Sequence, residues 1–131
     1  MKKNYMKQEK LDMEGDITCL VTKDQWLFSA SYSESIPIWN TETGKCVGIL
    51  EGHSREVTCL LVAGDVLISG SQDQTVKIWD LKTKECVFTL TLDYVPSSFA
   101  AADHLLFIGS MDNLSAELIN DPKILTCYPE K

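Results

Sequence analysis

Arginine and histidine are scarce in this 131-residue chain: Arg55 is the sole arginine, and His53 and His104 are the two histidines. One guanidinium cannot build the bidentate clusters that grip phosphate groups, so a phosphopeptide reader is not expected. The sequence has no His-x-x-x-His pair, no glycine-rich phosphate loop and no paired-carboxylate site. That removes the usual grounds for a metal, a nucleotide or an enzyme, and no cofactor is expected. No apolar run approaches the roughly 20 residues of a membrane helix. The N-terminus lacks the apolar core, about 7–15 residues long, that marks a secretory signal. Helix-period patterning is absent as well.

Positive charge is short overall. Twelve Lys and Arg face nineteen Asp and Glu, a net charge of −7. Lys2, Lys3, Lys7 and Lys10 against Glu9 give residues 1–10 a balance of +3, which leaves −10 on the rest. An acidic body argues against nucleic-acid backbone and anionic membrane as partners. Residues 1–14 read as a flexible, solvated leader. The five cysteines (Cys19, Cys46, Cys59, Cys86, Cys127) include no Cys-x-x-Cys pair, so neither a metal knuckle nor a disulfide framework is expected. They read instead as small buried apolar fillers. Without a secretory signal the thiols should stay reduced, which places the chain in the cytoplasm or nucleus.

What the sequence does hold is a repeat with a period of forty. Ile17-Thr18-Cys19-Leu20 returns as Val57-Thr58-Cys59-Leu60, and Leu27-Phe28-Ser29-Ala30-Ser31 as Leu67-Ile68-Ser69-Gly70-Ser71. Ile38-Trp39-Asn40 returns as Ile78-Trp79-Asp80, and Lys45-Cys46-Val47 as Glu85-Cys86-Val87. One offset aligns all four blocks without a gap. Each block is short, rich in Val, Ile, Thr, Trp, Phe and Leu, and bounded by polar turn clusters, which reads as a strand. Strands are expected at 17–21, 26–31, 35–39 and 45–50, then at 57–62, 66–71, 75–79 and 85–90. A third, decayed unit places them near 95–100, 105–109, 114–119 and 124–128. Four strand blocks per period of about 40–45 residues, with a Trp-Asp pair, is the signature of β-propeller blades.

The second unit, with Gly52-His53, Val57-Thr58-Cys59-Leu60 and Leu67 through Leu81, resembles the WD-repeat (WD40) family. The likeness is strong in the middle and weak in the third unit, where Leu118-Ile119-Asn120 stands for the Trp-Asp pair. It implies an all-β fold: a partial β-propeller of three four-stranded antiparallel WD40 blades, at about 15–52, 53–92 and 93–128 within a WD-repeat region of 15–131. Closed propellers carry about 4–8 blades. The three are therefore expected to belong to a longer propeller, to pair with a second copy, or to be closed by a partner's blades.

The resemblance also assigns roles. His53, Ser69, Asp73 and Trp79 could suggest a hydrolase triad, but in WD repeats these positions form a structural hydrogen-bond chain. The Trp79 indole would donate to Ser69, Ser69 to His53, and the other imidazole nitrogen to Asp73, which suits each group's donor and acceptor capacity. The first unit offers Ser29 and Trp39 but Met13 and Ser33 elsewhere, so blades 1 and 3 are expected to rest on packing alone. Propellers of this family bind partners with loops at one mouth. The matching positions are Glu14, Asp16, Ser54, Glu56 and Asp93 before the inner strands, and Tyr32, Gln72 and Met111 in the second loop. Carboxylates beside an aromatic and a methionine favour a basic peptide. The implied function is a non-catalytic protein–protein interaction scaffold. Alternatives are the substrate-recognition region of a ubiquitin-ligase-type protein, from the likeness of blocks such as Gly15 to Leu20, and a structural subunit of a large assembly.

Overall fold

A computed structural model of the protein describes residues 16–102, 105–111 and 114–118. The sequence-predicted leader 1–14, the fourth strand of the third unit, His104 and Cys127 lie outside the described residues. Within them the chain forms eleven strands: β1 (Ile17–Lys23), β2 (Trp26–Ser31), β3 (Ile36–Asn40), β4 (Cys46–Leu50), β5 (Val57–Ala63), β6 (Val66–Ser71), β7 (Thr75–Asp80), β8 (Glu85–Thr91), β9 (Ser98–Ala102), β10 (Leu105–Gly109) and β11 (Leu114–Leu118). They pair only with sequence neighbours, antiparallel throughout, as sheets β1-β2-β3-β4, β5-β6-β7-β8 and β9-β10-β11. Strand β9 begins at Ser98 rather than near 95. Pro96 supplies no N–H for a ladder and keeps the preceding backbone out of the sheet.

The forty-residue period carries through to backbone detail. Asp24 and Gly64 hold φ of 54° and 58° in the first hairpin of their sheets, and Gly44 and Lys84 hold 73° and 63° in the third. The register slips by one residue between Ile17 and Cys19 and again between Val57 and Cys59. A slip also follows Ile38 and Ile78. Asn40 and Asp80 differ in charge but do the same work. The Asn40 Oδ1 accepts from the N–H groups of Glu42 and Thr43 at 2.8 and 3.2 Å, and the Asp80 Oδ1 from those of Lys82 and Thr83 at 2.9 and 3.4 Å.

The sheets stack face to face. Phe28, Ala30, Ile36, Ile38 and Leu50 of the first meet Val57, Leu60, Leu67 and Trp79 of the second. The other face of the second sheet, with Val66, Ile68, Val76 and Ile78, meets Leu92, Leu106 and Ile108 of the third unit. Strand β6 is therefore buried at every residue, as a strand covered on both faces must be. Each such aliphatic side chain contributes roughly 1.5–3 kcal/mol of transfer free energy. Hydrogen bonds repeat across the seams too: Thr18 Oγ1 donates to the Val57 carbonyl (3.0 Å), and Thr58 Oγ1 to the Pro96 carbonyl (2.5 Å).

Two sequence expectations are corrected here. Cys46 and Cys86 are exposed, not buried fillers; Cys59 is buried and Cys19 half-buried. Their strands β4 and β8 are the outer edges of their sheets, where the neighbouring sheet covers little. Blades 1 and 3 do not rest on packing alone either. Trp39 Nε1 donates to Ser29 Oγ at 3.1 Å, and in the third unit the Tyr94 and Ser115 hydroxyls are hydrogen-bonded.

Candidate functional site

Four side chains of the second sheet converge behind the loop that leads into β5. Trp79 Nε1 donates to Ser69 Oγ at 2.8 Å, Ser69 Oγ lies 2.7 Å from His53 Nε2, and His53 Nδ1 lies 2.9 Å from Asp73 Oδ2. The rings of His53 and Trp79 meet edge to face, with centroids 6.3 Å apart. Both residues and Ser69 are buried. A carboxylate only accepts, and an indole N–H only donates. With His53 Nδ1–H donating to Asp73, Nε2 is left to accept from Ser69, whose oxygen accepts from Trp79. Every polar atom of the row is then satisfied.

Burial lowers the His53 pKa from its ordinary value, the hydrogen bond and charge of Asp73 oppose this, and the Lys77 charge adds to it. For Asp73, burial alone would raise the pKa. Hydrogen bonds from Thr75, the Ser54 N–H and His53 outweigh that and bring it down to about 2. At neutral pH the pair is therefore a neutral imidazole donating to a carboxylate. Ser69 has no vacant face toward which it could attack a substrate, being wholly buried between the indole and the imidazole.

This row fixes a loop. The Ser54 N–H donates to Asp73 Oδ2 (3.0 Å), Ser71 Oγ donates to the Arg55 carbonyl (3.0 Å), and the Gln72 N–H donates to the Glu56 carbonyl (2.9 Å). Three successive residues are thus held by the end of β6 and the turn that follows it. Gly52 makes the approach possible, since a Cβ there would come within 3.0 Å of the Trp79 ring.

Beside the fixed loop a cavity of about 600 Å³ opens between the first two sheets, lined by Tyr32, Ser33, Glu34, Ser35, Glu51, Gly52, His53 and Glu56. Of the mouth residues singled out from the sequence, the structure brings Tyr32 and Glu56 together there. Asp16, Ser54, Gln72, Asp93 and Met111 do not line it, and Glu14 lies outside the described residues. Ser54 and Gln72 act instead through their backbone N–H groups. Met111 is 95% exposed. Sequence reasoning missed Glu34 and Glu51. A run of polar residues, Tyr32 to Ser35, facing another, Glu51 to Glu56, was the available signal. It needed the loop lengths to show that the two runs meet.

Residues 44–80 match the family described as WD domain, G-beta repeat. No curated protein matches the chain. Among solved structures, the chain superposes on the WD40 β-propeller domain of Doa1 with a TM-score of 0.73 and 23% identity, covering 82% of this chain and 38% of that one. U3-55K gives 0.71 and 28% identity over 79% of this chain and 36% of that one. The computationally designed Ika4 protein gives 0.71 and 24% over 80% of this chain and 67% of that one. The chain spans little more than a third of the length of the Doa1 and U3-55K structures. The matched stretch runs from the end of the first sheet through β7 and contains the whole His53–Ser69–Asp73–Trp79 row. Residues 44–80 are thus a WD40 repeat, and the stacked sheets around them are consecutive blades of a WD40 β-propeller fold.

Proposed function

We propose that the chain is a non-catalytic interaction scaffold whose cleft between blades 1 and 2 takes a basic side chain of a partner protein. WD40 propellers typically serve as protein-interaction scaffolds. One observation carries the finer reading: Glu34, Glu51 and Glu56 share a cavity wall that holds no Lys or Arg, beside a Tyr32 ring that is 66% exposed. Carboxylates on a fixed loop attract a cation without having to reorganise, and an exposed aromatic gives the aliphatic stem of Lys or Arg a surface to lie on. The hydrogen-bond row, structural in this reading, holds the loop that presents two of the three acids.

Closure of the propeller belongs to the same proposal. Ile17 and Leu20 are 40% and 52% exposed, whereas Val57 and Leu60, forty residues on, are 0% and 6% exposed under blade 1. Further blades, whether of a longer propeller to which these three belong, of a second copy or of another protein, would cover the first pair as blade 1 covers the second. The setting proposed is the cytoplasm or nucleus, which suits the four free thiols of the described residues, two of them exposed.

The test is fluorescence anisotropy with a labelled Lys/Arg-rich peptide and its Glu-substituted counterpart. Binding should favour the basic peptide, weaken with salt, and fall when Glu34, Glu51 and Glu56 are changed together to Gln. Binding of the basic peptide that survives this triple change rejects the cleft as its site.

A further inference from the structure

At the opposite end of the same seam lies a second cleft, of about 290 Å³, and its chemistry is reversed. Its apolar lining is Trp26, Phe28, Ile38, Val47 and Leu81, and its rim carries Lys23, Lys82 and Lys84 against Asp24 and Asp65. Lys23 and Lys82 both reach a single carboxylate, Asp65, at 3.8 and 3.7 Å. Lys84 makes no ion pair among the described residues; its aliphatic stem runs beside Gly48, 3.7 Å from where a Cβ would stand. The rim is therefore net positive on a protein whose net charge is −7.

The equivalent residues of blade 2 are closed over. Ala63, Val66 and Ile68 occupy the positions equivalent to Lys23, Trp26 and Phe28 and are 2%, 1% and 1% exposed, sealed against the third unit. Blade 1 puts a longer cation and a larger ring at the first two positions. Both remain half-buried, so the cleft opens over Trp26, Val47 and Leu81, while Phe28 and Ile38 beneath are as buried as Ile68.

We infer that this cleft is a docking site for a peptide segment that pairs a bulky apolar side chain with neighbouring carboxylates. An apolar floor with a few convergent polar groups is how small recognition sites are built. The side chain would lie on Trp26, Val47 and Leu81, displacing water from their exposed hydrocarbon, with Phe28 and Ile38 beneath. The flanking carboxylate would meet the Lys84 ammonium, the one rim cation without a counter-ion. A basic segment is disfavoured by a rim of three ammonium groups against two carboxylates. The two clefts of the seam would then select partners of opposite charge, one at each end.

The test uses the full chain and three fluorescein-labelled probes: acetyl-Asp-Glu-Leu-Phe-Glu-amide, the same peptide with Lys at the three acidic positions, and the same peptide with Ser replacing Leu and Phe. Anisotropy gives affinity. Trp26 emission reports the site, because Trp39 and Trp79 are 6% and 2% exposed. The first probe should bind about tenfold more tightly than either control and shift the Trp26 emission. Lys84→Glu and Val47→Glu should each weaken it by about fivefold or more. Arg55→Glu, outside the cleft, should leave it within about twofold. Thermal melts of the variants confirm folding; all three substituted side chains are exposed. No binding at millimolar peptide, equal binding of either control, or affinity unchanged in a folded Lys84→Glu variant would overturn the proposal. The Glu34, Glu51, Glu56 triple variant should bind the acidic probe as well as the parent does. That separates this site from the basic-peptide cleft.

Discussion

His53 Nδ1 stands 2.9 Å from Asp73 Oδ2 with the imidazole completely enclosed and the carboxylate 8% exposed, yet the imidazole is neutral rather than charged. Taking a cation out of water costs more here than one carboxylate returns. Asp73 spends much of its accepting capacity elsewhere, on Thr75 Oγ1 (2.6 Å), the Thr75 N–H (2.9 Å) and the Ser54 N–H (3.0 Å). It is the node of the turn, with His53 as one of its ligands.

Removing that node has a defined cost. Asp73→Ala strands the His53 Nδ1–H and two backbone N–H groups, so it should destabilise the fold by about 1–3 kcal/mol. Urea or thermal unfolding followed by circular dichroism measures this. A melting temperature equal to that of the parent would show that the row does not support the blade.

Acid should act on the same pair in two steps. The folded His53 pKa lies below 6.5, so the unfolded chain takes up its proton first. The stability due to the neutral imidazole is complete above about pH 6.5 and declines as the pH falls through that value. Asp73 is shifted from 3.8 to about 2. Its contribution, of order 2 kcal/mol, is complete above about pH 4 and is lost between there and pH 2. Urea midpoints from pH 8 to pH 3 should decline on acidification, and His53→Gln should remove the upper step while a lower one remains, since Thr75 and the Ser54 N–H still favour the Asp73 carboxylate. A midpoint that is flat or rises between pH 7 and pH 5 would contradict the neutral assignment.

The blade architecture was legible because the period of forty lies in residue types with strong strand preference, and because turns in a stacked repeat must recur at one spacing. The members of the hydrogen-bond row could be named because the second unit resembles a WD repeat closely enough to carry its positions over residue by residue. Exposure could not. Cys46 and Cys86 are ordinary core residues by type, and only their place on the outer strands β4 and β8 leaves them in solvent. The two clefts were illegible for a related reason. Glu34 and Glu51, or Trp26 and Leu81, are separated in sequence and meet only through the stacking of one sheet on the next. Apolar content alone extends β9 back to about residue 95, but Pro96 has no N–H for the ladder and the strand begins at Ser98.

The cross-seam threonines offer a cleaner measure of blade stacking than any apolar residue. Thr58 Oγ1 donates to the Pro96 carbonyl while its Cβ branch holds the strand. Thr58→Val keeps shape and β preference and deletes the donor, so it should cost about 0.5–1.5 kcal/mol. Thr18→Val removes the matching bond to Val57 across the first seam and should cost a similar amount. Amide hydrogen exchange should show the loss concentrated around β9 for Thr58→Val and around β1 for Thr18→Val. Uniform loosening of all three sheets by either variant would mean that the seams do not open separately.

Gly70 and Ala30 occupy the same place in consecutive blades, and the seams they face explain the difference. A Cβ on Gly70 would stand 2.7 Å from both Cys59 Sγ and Pro96 Cγ and 3.0 Å from the Phe99 ring, whereas Ala30 carries its methyl fully buried against blade 2. Pro96 is rigid and buried, so it cannot yield as a flexible side chain would. Gly70→Ala should therefore cost about 1–3 kcal/mol through overpacking of the second seam. Combining it with Pro96→Ala, which shortens one of the obstructing groups, should restore part of the loss, giving a coupling well above the few tenths expected of independent sites. A double-mutant cycle in urea measures that coupling. If the two changes simply add, the glycine is not there to admit the proline.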